Sequence, residues 1–243
     1  MFFDILSPYS YFAFETLCRY RDEWGLALHF KPVFLSAIMR DTGNAPPAAV
    51  AAKAAYLAKD LHRNAIYYEC PIKLPNSQMA AVMSGSLPVQ RMLVALQSAH
   101  GDGALERCMR ALWQRYLVRD EDILAEESKI AALNDAGLDL AQAQAVLAAA
   151  TQPPAKRALA DLTTEALAHG AFGVPAIVFS VPTSTTPGTG SSSGDAAAAA
   201  GAAGEKAMIF GSDRFAIMAQ LLNKTWVGPR PDVAKKRKIM SRL

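Results

Sequence analysis

FFDILSPYSYFAFETLCRYRDEWG, residues 2–25, holds two secondary-structure elements and the junction between them. Residues 2–6 are aromatic or branched apart from Asp4, which is the composition of a strand. From Ser10 onward Phe12, Leu17 and Tyr20 fall among apolar positions at three- and four-residue spacings, and Gly25 supplies a stop, so a helix is predicted there. LALHFKPVF, residues 26–34, then alternates well enough to be a second strand. Strand, helix, strand opens a βαβ unit.

From about Leu35 to Asp161 no further strand is legible, and helical stretches are predicted at 47–64, 86–99, 102–118, 124–134, 139–149 and 153–169. NAPP, CPIKLPNS and HGDG separate them with the turn residues that end helices. The sheet resumes with PAIVF (175–179) and KAMIFG (206–211), and SDRFAIMAQLLNK follows as a helix with Ser212 or Asp213 as its cap. An α/β domain built from residues 1–40 and 165–230 is therefore expected to be interrupted by a helical domain over 41–164. Residues 181–205, rich in Ser, Thr, Gly and Ala, read as a flexible low-complexity insert inside a hairpin, because such a segment has little to bury and long loops add little closure entropy. Residues 231–243 form a basic tail.

Composition narrows the function classes. At 243 residues, 51% of them hydrophobic and 19% charged, the chain can bury a core without metal or disulfide support. No apolar run is long enough for a bilayer span. The net charge of +3 is concentrated at Lys235, Lys236, Arg237 and Lys238, which argues against a nucleic-acid surface on the body. Cys18, Cys70 and Cys108 form no CxxC and no metal-like spacing, so a reduced compartment, packing roles for the thiols and no metal site are expected. No basic segment precedes the first strand and Asp4 interrupts it, so no signal peptide is expected.

Three places carry chemistry. In SPYS, Ser7 stands where a helix begins: it either caps the helix or donates a hydrogen bond to an anion held by free N–H groups and the helix field. The histidines at 29, 62, 100 and 169 form no local pattern that would make it a nucleophile. In AFGVPAIVF, Val174-Pro175 is either a plain strand-start proline or a cis bond that turns the Val174 backbone toward an extended peptide. In FGSDRF, Ser212 and Asp213 either cap the last helix or hold the carboxylate and ammonium of an amino-acid-like ligand. All three converge at one edge of the expected sheet.

The chain resembles the kappa-class glutathione transferases, of the thioredoxin-like DsbA superfamily. FFDILSPYSYFAFETLCRY, IMRDTGNAPP, LWQRYLVRDEDI, AFGVPAIVF, MIFGSDRF and KTWVGPRP look like family segments in family order. The resemblance implies a thioredoxin-like domain interrupted by a helical insertion, and glutathione as co-substrate with no metal. It implies that Ser7 is the catalytic serine that bonds the glutathione sulfur, and that Ser10 lies at the second position of the redox relatives' dithiol, so disulfide exchange is not expected. It further implies glutathione-binding roles for Asn44, Lys53, Val174, Pro175, Ser212 and Asp213, with Asp60 on the same polar rim. Tyr9, Tyr11 and Phe12 are expected around the pocket for a small hydrophobic electrophile, and a homodimer is implied. The insert over 181–205 and Tyr11, where many members carry Trp, depart from the family pattern. Related 2-hydroxychromene-2-carboxylate isomerases share the front serine, and a non-catalytic binding module is a third reading. The ending Ser241-Arg242-Leu243 resembles the SKL address read by the peroxisomal import receptor, which makes the peroxisome the expected location, with mitochondrion or cytosol as alternatives.

Overall fold

The computed structural model describes residues 1–73, 85–182 and 205–233. The N-terminal strand, β1 (Phe2–Phe3), pairs in parallel with β2 (Lys31–Pro32), so both expected strands contract to two residues. Asp4 draws the chain out of the sheet: its buried carboxylate accepts from Leu6 N (3.0 Å), Leu35 N (3.1 Å) and Ser86 Oγ (2.6 Å). Pro32 offers no N–H with which to extend β2. Gln90, itself fully buried, joins the two strand ends, donating from Nε2 to Phe3 O (3.0 Å) and Val33 O (2.7 Å).

Between the paired strands runs α1 (Pro8–Trp24), with Pro8 pre-set for a first helical position and Gly25 closing the helix at φ 66°. At the other side of β1, β3 (Ala176–Ser180) pairs antiparallel and then takes β4 (Lys206–Phe210) antiparallel, giving the order β2-β1-β3-β4. The β3–β4 ladder continues to Val181 N and Glu205 O (2.8 Å), so the hairpin expected around the long insert is present. The insert itself from 183 to 204, the break from 74 to 84, and the basic tail from 234 to 243 with Ser241-Arg242-Leu243 lie outside the described residues.

Among the described residues six α-helices separate β2 from β3: α2 (Leu35–Thr42), α3 (Ala51–Tyr67), α4 (Leu87–Trp113), α5 (Glu126–Asp135), α6 (Leu140–Ala150) and α7 (Pro153–Ala168). Helix α8 (Phe215–Leu221) follows β4. This is a thioredoxin-like sheet interrupted by helices. Four of the predicted helices match closely, and the break predicted at HGDG is a bend within α4, where Gly101 leaves helical geometry at φ 77°. The predicted helix through 118 ends at Trp113 and continues as a π-helical turn, Gln114–Arg119. Helix α2 has no counterpart among the sequence expectations, because Phe34 at its N-cap makes no side-chain cap bond and announces nothing.

Successive residues of β1 face opposite sides of the sheet. Phe3 enters the larger core with α1 and α4, while Phe2 packs with Val33, Ile38, Ala166 and Ala176 under α2 and α7. Trp113 anchors the larger core, with ring centroids 5.8 Å from Phe3, 5.6 Å from Tyr11 and 5.0 Å from Phe14, and its Nε1 donates to Ile5 O at 3.0 Å. Among the described residues no helix is long and apolar enough to cross a membrane, and no group of His, Cys, Asp or Glu is arranged to hold a metal.

Candidate functional site

The front of α1 meets the turn before β3. Ser7 is the N-cap in extended geometry, 7% exposed, and its Oγ accepts the Ser10 N–H at 3.1 Å. Its hydroxyl donates to Val174 O at 3.4 Å, and the Val174-Pro175 bond is cis. A bond that long is readily given up, whereas the bond accepted from a helix N–H polarises the hydroxyl and makes it a better donor. Pro8 has no N–H, and Ser10 and Tyr11 bond back to Ser7, so the Tyr9 N–H at the positive end of the helix has no partner among the described residues. Ser10 is fully buried with its Oγ unpartnered among the described residues.

Several sequence-predicted residues gather around this junction. Tyr9, partly buried, donates its phenol to Asp60 Oδ2 on α3 at 2.5 Å, and Asn64 Nδ2 donates to the same oxygen at 3.0 Å. Burial first, then Asp60, holds the Tyr9 proton well above the usual phenol range, and Tyr56 and Asp213 add to the effect, which brings Asp213 within electrostatic reach. Asn44 donates from Nδ2 to Phe172 O at 2.7 Å and thereby ties the segment after α2 to the Val174 turn. Val174 is itself buried.

Other expectations are corrected. Ser212 and Asp213 do not cap α8, which begins at Phe215 with Arg214 as N-cap and no side-chain cap bond. Gly211, at φ +92°, makes the turn, Ser212 O accepts from the Tyr68 phenol, and the exposed Asp213 pairs with Arg214. Both residues stay near the site, but any carboxylate bound there meets a loop and not the end of a helix. Lys53 is exposed. It precedes Asp60 by seven residues on α3 and so shares its face about 10 Å away.

Tyr11 and Phe12 do not line an open pocket, since they are 2% and 0% exposed. Tyr11 lies against Trp113 and accepts from Gln114 Nε2 at 3.0 Å, and Phe12 stacks on Tyr68. Tyr11→Phe should therefore leave kcat/KM within about twofold and remove about 1 kcal/mol of stability, as steady-state kinetics beside a denaturant titration would record. The exposed aromatics beside Val174 are instead Phe172 and Phe210, 43% and 38% exposed with centroids 4.5 Å apart. Gly173 admits this pair, for a Cβ there would sit 3.0 Å from Phe210 Cε2. Each phenylalanine directly precedes a glycine in AFGVP and IFGSD, the signal that sequence reading passed over.

The chain's own thiols are poor candidates for the reacting sulfur. Burial pushes Cys70 up to about 11 and Cys18 up to about 12, and raises Cys108 as well.

The DSBA-like thioredoxin domain family matches residues 1–223. Glutathione S-transferase kappa 1 of Homo sapiens is 35% identical over 238 residues, covering 98% of this chain and 96% of the relative. The rat protein of the same name is 34% identical over 238 residues, with 98% of this chain and 96% of the relative covered. The solved structure of a 2-hydroxychromene-2-carboxylate isomerase superposes with a TM-score of 0.67 at 19% identity, covering 91% of this chain and 92% of that one, and so shares the fold. The chain belongs to the DSBA-like thioredoxin domain family, within which it is a relative of the kappa-class glutathione transferases.

Proposed function

We propose that the protein is a glutathione transferase that joins the glutathione thiolate to small hydrophobic electrophiles. The observation that carries this reading is the Ser7 hydroxyl, held at the positive end of α1 and turned on Val174 O, in a chain whose Cys18 and Cys70 are too strongly protonated to compete. In this reading the cysteinyl part of glutathione lies extended along Val174 and Pro175, and its N–H takes over the Val174 carbonyl. The Ser7 hydrogen then turns to the sulfur, where it and the helix field favour thiolate over thiol. Asp213 with Ser212 receives the γ-glutamyl end, and Asn44, Lys53 and Asp60 hold the tripeptide from the helical side. The thiolate attacks an electrophilic carbon resting on Phe172, Phe210 and Tyr9; with a halonitroaromatic a carbon–sulfur bond forms and halide leaves.

A second reading, glutathione-dependent isomerisation, is favoured by the fold shared with the solved isomerase. There the thiolate would add to the substrate and leave it again. Product formation from glutathione and a halonitroaromatic, assayed beside isomerisation of 2-hydroxychromene-2-carboxylate, decides between them; turnover in neither assay overturns both. Lys53→Ala should weaken glutathione binding about tenfold, or 1.4 kcal/mol, with little change in kcat. Unchanged affinity in a calorimetric titration removes Lys53 from the site. The Ser241-Arg242-Leu243 ending supports a peroxisomal address, which a reporter carrying these residues would test by its distribution in cells.

A further inference from the structure

A cavity of about 220 Å³ lies between α2, the first turns of α4, and α7, and it shares no residue with the Ser7 site. Phe34, Leu87 and Leu159 give it apolar walls, while Arg40, Arg91 and Lys156 set three cations against one acid, Asp41. Arg40 already grips Asp41 through two bonds, Nε at 2.7 Å and a terminal nitrogen at 3.1 Å. The charge left over is that of Arg91 and Lys156.

Arg91 is the unusual member. Its Nε is buried and has no hydrogen-bond partner among the described residues. The one buried acid among the described residues, Asp4, is occupied by Ser86, Leu6 and Leu35. Residues 74–84, LPNSQMAAVMS, which lead into α4, contain no acid that could serve. A buried cationic donor without an acceptor is unfavourable, and an anion from outside would relieve it.

Size selects the kind of anion. An apolar cavity of about 150 Å³ admits benzene, so this one has room for a ring and a carboxylate while remaining too small for a tripeptide. We infer that the cavity is a second ligand site, taking a small aromatic carboxylate with its ring against Phe34, Leu87 and Leu159 and its charge on Arg91 and Lys156. This inference stands independently of the reaction proposed at Ser7.

Benzoate is the probe, titrated into the full chain while the methyl signals of Leu87 and Leu159 are followed by NMR. Saturable shifts at both residues are expected with benzoate, at least about tenfold weaker shifts with benzyl alcohol or inorganic phosphate, and the same loss of benzoate affinity in Arg91→Gln. Arg91→Lys should retain most of the binding, and Lys156→Gln, an exposed change that does not threaten folding, should weaken it severalfold. Conjugation of glutathione should be unaffected in each variant. Absence of saturable shifts overturns the inference, as does equal binding of benzyl alcohol or phosphate. So does displacement of benzoate by glutathione, which would put it at the Ser7 site, or undiminished benzoate affinity in both Arg91→Gln and Lys156→Gln.

Discussion

Ser7→Ala should lower kcat/KM for glutathione conjugation about a hundredfold, the usual cost of removing one donor aimed at a developing or resting anion. The fold should survive, because the loss of an N-cap side chain costs about 1 kcal/mol. The pH dependence separates thiolate stabilisation from simple loss of binding. In the parent protein the bound thiol should titrate below its free value and the rate should level off above that point; in the variant the thiol should move back toward about 8.5. Fewer thiolates are then present at neutral pH, so the deficit grows as pH falls and shrinks as pH rises. A variant whose deficit is the same at every pH would show that Ser7 acts otherwise.

Trp113→Ala should be the most destabilising single change, by about 3–5 kcal/mol as for other large aromatic truncations, against a total stability of about 5–15 kcal/mol for an ordinary domain. Trp113 is fully buried, touches the rings of Phe3, Tyr11 and Phe14, and satisfies the Ile5 carbonyl. Ile5 lies two residues before Ser7, so this side chain from the inserted helices also fixes the segment that delivers the Ser7 hydroxyl. A shift of the urea midpoint corresponding to less than about 1 kcal/mol would show that the core collapses around the gap and that α4 does not position Ser7 in this way. Glutathione affinity of whatever folded variant remains should fall with it.

The strand–helix–strand opening, the later hairpin and the three turns beside them were legible because serine, proline and glycine mark them locally: SPYS, GVP and FGSD each announce a change of direction that only a few residue types allow. The contracted strands were not legible. Asp4 leaves β1 for partners at Leu35 and Ser86, and no local pattern in residues 2–6 encodes those distant donors. Aromatic residues on α1 misled for a related reason. Tyr9, Tyr11 and Phe12 look alike as sequence, and only the arrival of Trp113 and Tyr68 from the inserted helices buries the latter two and leaves Tyr9 facing Asp60. The helix capped by Ser212 or Asp213 was expected from residue type alone, whereas the Gly211 turn and the Tyr68 phenol take those residues first.

The central claim, that a ligand's sulfur sits on the Ser7 hydroxyl at the head of α1, is tested most directly by a crystal structure of the protein with glutathione. The account predicts the sulfur within about 3.5 Å of Ser7 Oγ, and the cysteinyl backbone paired with Val174. Glutathione bound with its sulfur turned away from Ser7, or seated on a surface that does not include Val174, would contradict it.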